Sequence, residues 1–97
     1  MVIMKRGEYM DKRYEYLHKE LVAMKDALES YKHYFEINGV IFDVDVEMKW
    51  RYEDYMFNIF VYGVEKYTNL SDREAIWTIR HLYVGADMAM KQLKGEK

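Results

Sequence analysis

Apolar side chains recur along residues 8–33 at alternating steps of four and three: Met10, Tyr14, Leu17, Leu21, Met24, Leu28 and Tyr31. That spacing keeps them on one side of a 3.6-residue turn and predicts a helix over 8–33. The opposite side is charged, and Glu8–Lys12 and Glu15–Lys19 stand in the favourable i,i+4 order. A stripe this regular serves either a core-facing helix or the seam of a coiled coil.

From residue 34 the period changes to two. Asn38-Gly39 is a strong hairpin signal, because both central positions of a type I′ turn require φ > 0. Such a turn would set Ile37 against Val40 and Phe35 against Phe42. From Val40 to Arg51 the alternation is strict: Val40, Phe42, Val44, Val46, Met48 and Trp50 fall on one face, Ile41, Asp43, Asp45, Glu47, Lys49 and Arg51 on the other. A second turn at Arg51-Tyr52-Glu53-Asp54 pairs Trp50 with Tyr55, Met48 with Phe57, Val46 with Ile59 and Val44 with Val61. Both turns oppose apolar to apolar, and a one-residue slip would destroy the match. The expected strands are 34–37, 40–50 and 55–63, joined as an antiparallel meander.

Residues 71–94 return to helical spacing. Ser71-Asp72-Arg73-Glu74 is a capping box, with Ser71 as N-cap and Glu74 reaching back to it. Ile76, Ile79, Tyr83, Ala86, Met90 and Leu93 form the apolar stripe. Gly85 sits mid-helix at a propensity cost of about 1 kcal/mol. With Ala86 and Ala89 it makes a small-residue patch, suited to close approach of the first helix or the sheet, or to an external partner. The expected fold class is α+β: a single two-layer domain over 1–97, ordered α-β-β-β-α, with a three-stranded antiparallel meander packed on two helices. Residues 1–7 and 94–97 read as frayed ends, and Met4 is an alternative start to Met1.

Composition narrows the chemistry. The chain has 97 residues, 51% of them hydrophobic, enough for one core. It has no Cys, which removes disulfides, thiolate nucleophiles and cysteine-based metal sites. No apolar run approaches the roughly 20 residues needed to span a bilayer, and Met1–Gly7 is too short for a signal-peptide core. A cytoplasmic location is expected. The net charge of −2 conceals an uneven distribution. Residues 34–70 hold three basic and seven acidic side chains, a net of −4, while the segments on either side are each +1.

No constellation of residues amounts to an active site. Glu15-x-x-His18 has the spacing of half a carboxylate-bridged diiron site, but the second Glu-x-x-His is missing. His33 near a helix C-terminus is explained by the macrodipole, and His81 sits among apolar neighbours. Ser71 is committed to the cap, and the five glycines are too scattered for a phosphate loop. No catalytic residue, no metal and no cofactor is expected, and the chain reads as a non-enzyme. Tyr31-Lys32-His33-Tyr34 and Lys49-Trp50-Arg51-Tyr52 could stack on bases, yet the register turns Trp50 inward and gives Lys49 and Arg51 carboxylate neighbours. The element order resembles that of double-stranded-RNA-binding domains. In place of that family's lysine-rich second-helix start stands Ser71-Asp72-Arg73-Glu74-Ala75, so direct nucleic-acid binding is not expected.

The same register defines an outer sheet face that comprises Tyr34, Glu36, Ile41, Asp43, Asp45, Glu47, Lys49, Met56, Asn58, Phe60, Tyr62 and Val64. Alternate residues on a strand lie about 6.6–6.8 Å apart, comparable with successive phosphates of a nucleic-acid strand. A solvated face is common in antiparallel sheets, but this one holds more apolar area than solvation requires. The candidate partner-binding residues are Tyr34, Glu36, Asp43, Asp45, Glu47, Asn58, Phe60 and Tyr62. In size, composition and acidic sheet face, though in no motif, the chain resembles the small inhibitors of phages and mobile elements, of which anti-CRISPR proteins are one kind. That resemblance implies a non-enzymatic inhibitor that blocks a basic, nucleic-acid-binding surface of a host defence protein. The alternative is a self-associating structural or regulatory subunit, a homodimer through the first-helix stripe.

Overall fold

A computed structural model describes the backbone of residues 6–95 and the side chains of residues 12–95. It contains α1 (Arg6–Ile37), β1 (Val44–Arg51), β2 (Asp54–Val61), β3 (Val64–Leu70) and α2 (Asp72–Leu93), the α-β-β-β-α order of a small α+β domain. The strands form one open antiparallel sheet in the order β1-β2-β3. Both helices pack on the same face of it. Leu17, Met24, Leu28 and Phe35 from α1 and Ala75, Ile79 and Met90 from α2 meet Val44, Val46, Phe57 and Ile59 in one buried cluster.

The first helix is longer than its sequence stripe suggested, and the expected strand over 34–37 is its last turn. Phe35 continues the Leu28–Tyr31 spacing and is fully buried. Asn38-Gly39 is therefore no hairpin. Only Gly39 has positive φ, at 77°, whereas a type I′ turn needs it at both positions. The Gly39 amide donates to the Glu36 carbonyl and the Val40 amide to the Phe35 carbonyl, at 3.0 and 2.8 Å. This is a Schellman helix terminus with glycine in the left-handed position, and Val40 packs back onto the core that holds Phe35. His33 consequently lies within α1, exposed, and not at a junction.

The β1–β2 register agrees with the sequence reading at every pair it named: Trp50 with Tyr55, Met48 with Phe57, Val46 with Ile59, Val44 with Val61. The connecting turn is Tyr52-Glu53, both residues at positive φ. Residues 40–43 lie outside any strand, so β1 begins at Val44 and not at Val40. Trp50, expected in the core, is exposed near the end of β1, its ring edge-on to Tyr55 at 5.0 Å. The third strand, Val64–Leu70, was not anticipated. It follows a two-residue turn at Tyr62-Gly63, with φ of 51° and 78°, and hydrogen-bonds to β2 through two irregularities. Residues 64–68 are all exposed, so β3 shows no period-two pattern.

The two helices lie side by side and run in the same direction. Tyr16 donates to Asp72, Tyr34 to Asp87 at 2.6 Å, and Lys94 to Asn38, so residues about 53–56 apart meet along the whole contact. Tyr31 and Tyr83 stack between them with centroids 4.2 Å apart. The α1 stripe is thus spent on the core: Leu17, Met24 and Leu28 are all buried. Met10 and Glu8, and with Glu8 its pairing to Lys12, fall outside the described side chains, as do residues 1–5 and 96–97 altogether. Residues 6 and 7, expected to fray, belong to α1. The capping box of α2 is formed in both directions, Ser71 Oγ accepting from the Glu74 amide and Glu74 Oε1 from the Ser71 amide. Gly85 faces open space, with nothing within 4 Å of where a Cβ would stand. Close packing inside the chain does not account for it.

Candidate protein-binding surface

Because both helices cover the inner face, the outer face of β1 and β2 is left without a covering element. Asp45 stands across from Phe60 and Glu47 from Asn58. The acidic row is less bare than its sequence suggested. Lys32 reaches from α1 past the β1 edge to Asp45 at 3.2 Å, and Lys49 pairs with Glu47 at 3.1 Å.

Two of the expected site residues have other tasks. Tyr34 lies on α1 and donates its hydroxyl to Asp87, joining the helices; that carboxylate partner and partial desolvation hold its phenol above the ordinary range. Asp87 is correspondingly held below the carboxylate range, first by the Tyr34 hydroxyl and then by Lys91. Asn58 points outward but is only 1% exposed. Its Oδ1 accepts from the Asn69 amide at 2.9 Å, and its Nδ2 lies 3.4 Å from Glu47. Asn69 has φ of 57° and interrupts the β2–β3 ladder, so the Asn58 side chain supplies the acceptor that the irregular strand lacks.

The remaining candidates gather toward one end of the sheet. Tyr62 is tied down twice: its amide donates to the Asp43 carbonyl and its hydroxyl to the Ile41 carbonyl, each at 2.8 Å. These bonds pin the loop 40–43 to the β2–β3 turn. They also hold Ile41 (77% exposed) and Tyr62 (62% exposed) beside the exposed Asp43. Glu36, in the last turn of α1, shares a shallow cleft with Lys32, Val40, Ile41, Phe42 and Asp43. Glu36, Asp43, Asp45, Phe60 and Tyr62 thus form an acidic and apolar surface, with Glu47 next along β1. Among the described residues no group of three or more His, Asp or Glu is placed to hold a metal ion, and no helix is long and apolar enough to cross a membrane.

Comparison with protein-family models, with curated proteins and with solved structures finds no match.

Sequence reasoning named Ile41 on the outer face but overlooked Lys32, whose reach to Asp45 depends on α1 lying against β1. It also overlooked the outward side of α2, where Trp77, Val84 and Met88 are exposed and the Trp77 and His81 rings lie 3.9 Å apart. The signal for that stripe was present in the sequence as a second apolar spacing, offset from the one used for the core.

Proposed function

We propose that the protein is a non-enzymatic binding module that docks on a basic surface of another protein through the end of its sheet. The observation that carries this reading is the pinned pair Ile41 and Tyr62. The Tyr62 hydroxyl and amide bond the Ile41 and Asp43 carbonyls, which ties the Tyr62 ring and the Ile41 backbone beside Asp43 and leaves both large side chains in solvent. Ordering exposed apolar groups before a partner arrives lowers the entropy cost of binding. Flanking carboxylates steer a basic partner and discriminate against acidic ones. The biological form of this activity that we favour is inhibition of a nucleic-acid-handling defence protein, whose basic channel the row Asp43, Asp45 and Glu47 would occupy.

The test uses purified RNA-guided nucleases of several types and measures target cleavage with increasing inhibitor. At least one should be inhibited by the parent chain and far less by the triple variant Asp43→Lys, Asp45→Lys, Glu47→Lys. Inhibition should also weaken as salt is raised, because exposed charges are screened. A folded triple variant (unchanged circular dichroism) that inhibits as well as the parent would remove the acidic row from the mechanism. A panel in which no member is inhibited would remove the defence target.

A further inference from the structure

The outward face of α2 carries a second, unused stripe. Glu74, Trp77, His81, Val84, Met88 and Lys91 follow one another at steps of three and four. At 100° per residue their mean direction is opposite to that of Ala75, Ile79, Ala86 and Met90, which face the core. Trp77 is 65% exposed, Val84 51% and Met88 60%, and the sheet borders this side only at its edge, where Tyr67 and Leu70 of β3 share shallow clefts with Trp77. Gly85 flanks the stripe and meets nothing within 4 Å, although a mid-helix glycine costs about 1 kcal/mol relative to alanine.

We infer that this stripe is a self-association seam, on which a second copy of the chain docks its own α2 in antiparallel orientation. The charge order selects that arrangement. The stripe is acidic at its start, apolar through its middle and basic at its end. Two antiparallel copies with their two-fold axis between residues 82 and 83 set Trp77 against Met88 of the second copy and His81 against Val84 of the second copy. Glu74 then faces Lys91 of the second copy at each end. These are the alternating layers of an antiparallel coiled coil, with residue i opposite residue j and j opposite i, as a two-fold interface requires. A parallel pair would instead oppose Glu74 to Glu74 and Lys91 to Lys91. Gly85, beside the central layer, permits close approach of the two backbones. The capping bond from Glu74 and the Lys91–Asp87 pair are compatible with the seam, since a carboxylate and an ammonium each have capacity for several hydrogen bonds.

The area places the seam among small interfaces. A helix of 22 residues is about 33 Å long. A contact strip of that length buries on the order of 1,000 Å² over both copies, at the lower bound for specific association. A patch of that size suits a weak, reversible dimer.

Sedimentation equilibrium across about 10 μM to about 1 mM tests this. The weight-average mass of the parent should rise from 11.9 kDa toward twice that value. Val84→Glu, at a solvent-facing site away from the cap, should weaken association at least tenfold. Lys91→Glu and Glu74→Lys should each weaken it alone, while an equimolar mixture of the two should associate at least as well as the parent, because all facing charges are then opposite. A parent that stays monomeric throughout overturns the inference. So does a Val84→Glu chain that associates like the parent, or a mixture no better than its components. The readout is mass alone, so its failure leaves the sheet-end reading standing, and the reverse holds too.

Discussion

The amide of Asn58 stands in for a missing rung of the sheet. β3 carries Asn69 in a left-handed conformation, so its backbone cannot meet β2 in the regular pattern, and the Asn58 side chain accepts the stranded N–H. The alternation of β2 placed Asn58 on the outer face, which the register bears out. Its burial was not legible, because it comes from an irregularity in a neighbouring strand that has no alternation of its own. Replacing Asn58 by Leu keeps the branched shape, adds some bulk and removes the acceptor. It should cost about 2 kcal/mol, the penalty for a buried unpaired donor, read as a lower urea midpoint with an unchanged slope.

At the scale of elements, one dipeptide decided between two architectures. Asn38-Gly39 suits a hairpin and a helix terminus equally well as composition. The outcome turned on Phe35, which continues the α1 stripe into the core and puts glycine, one residue beyond Asn38, in the left-handed position past the helix. The element order survived that misreading because a strand lost at 34–37 was offset by a strand gained at 64–70. The β1–β2 register was legible because both its faces alternate over eight residues. β3 was not, because its exposed residues and two irregularities leave no period to detect. Gly39→Ala puts a Cβ at φ 77° and should destabilise the chain by about 1 kcal/mol. The measurement is the melting temperature by circular dichroism. Space is not the issue, since nothing lies within 4 Å of the added carbon.

Over the whole molecule, α1 overhangs the start of α2 and is tied to the β1–β2 hairpin there. Arg13 grips Asp54 through two hydrogen bonds of 2.5 and 2.8 Å, and Tyr14 rests against Tyr55. The hydrogen bond from Arg13 holds the Asp54 carboxyl below its ordinary value, helped by the Tyr55 amide and opposed by burial. A carboxyl lowered on folding contributes stability that is complete above its unfolded value, 3.8, and is lost as the pH falls through the lower folded value. Both side chains are about one-third exposed, so the contribution is modest. Arg13→Ala should lower the melting temperature at neutral pH and shrink the further drop between about pH 4 and about pH 2.

The shared direction of the two helices has a consequence for the electrostatic field around the molecule. Their C-terminal ends, each with partial negative charge from unpaired carbonyls, both arrive beside Asn38 and Lys94. That is the end where Glu36, Asp43, Ile41 and Tyr62 gather. In the sequence of the opposite end, residues 6–15, three basic residues are balanced by three acidic ones. The peptide dipoles of α1 and α2 therefore add along the length of the helix pair. The parallel arrangement thereby concentrates negative potential at the end where the candidate surface lies.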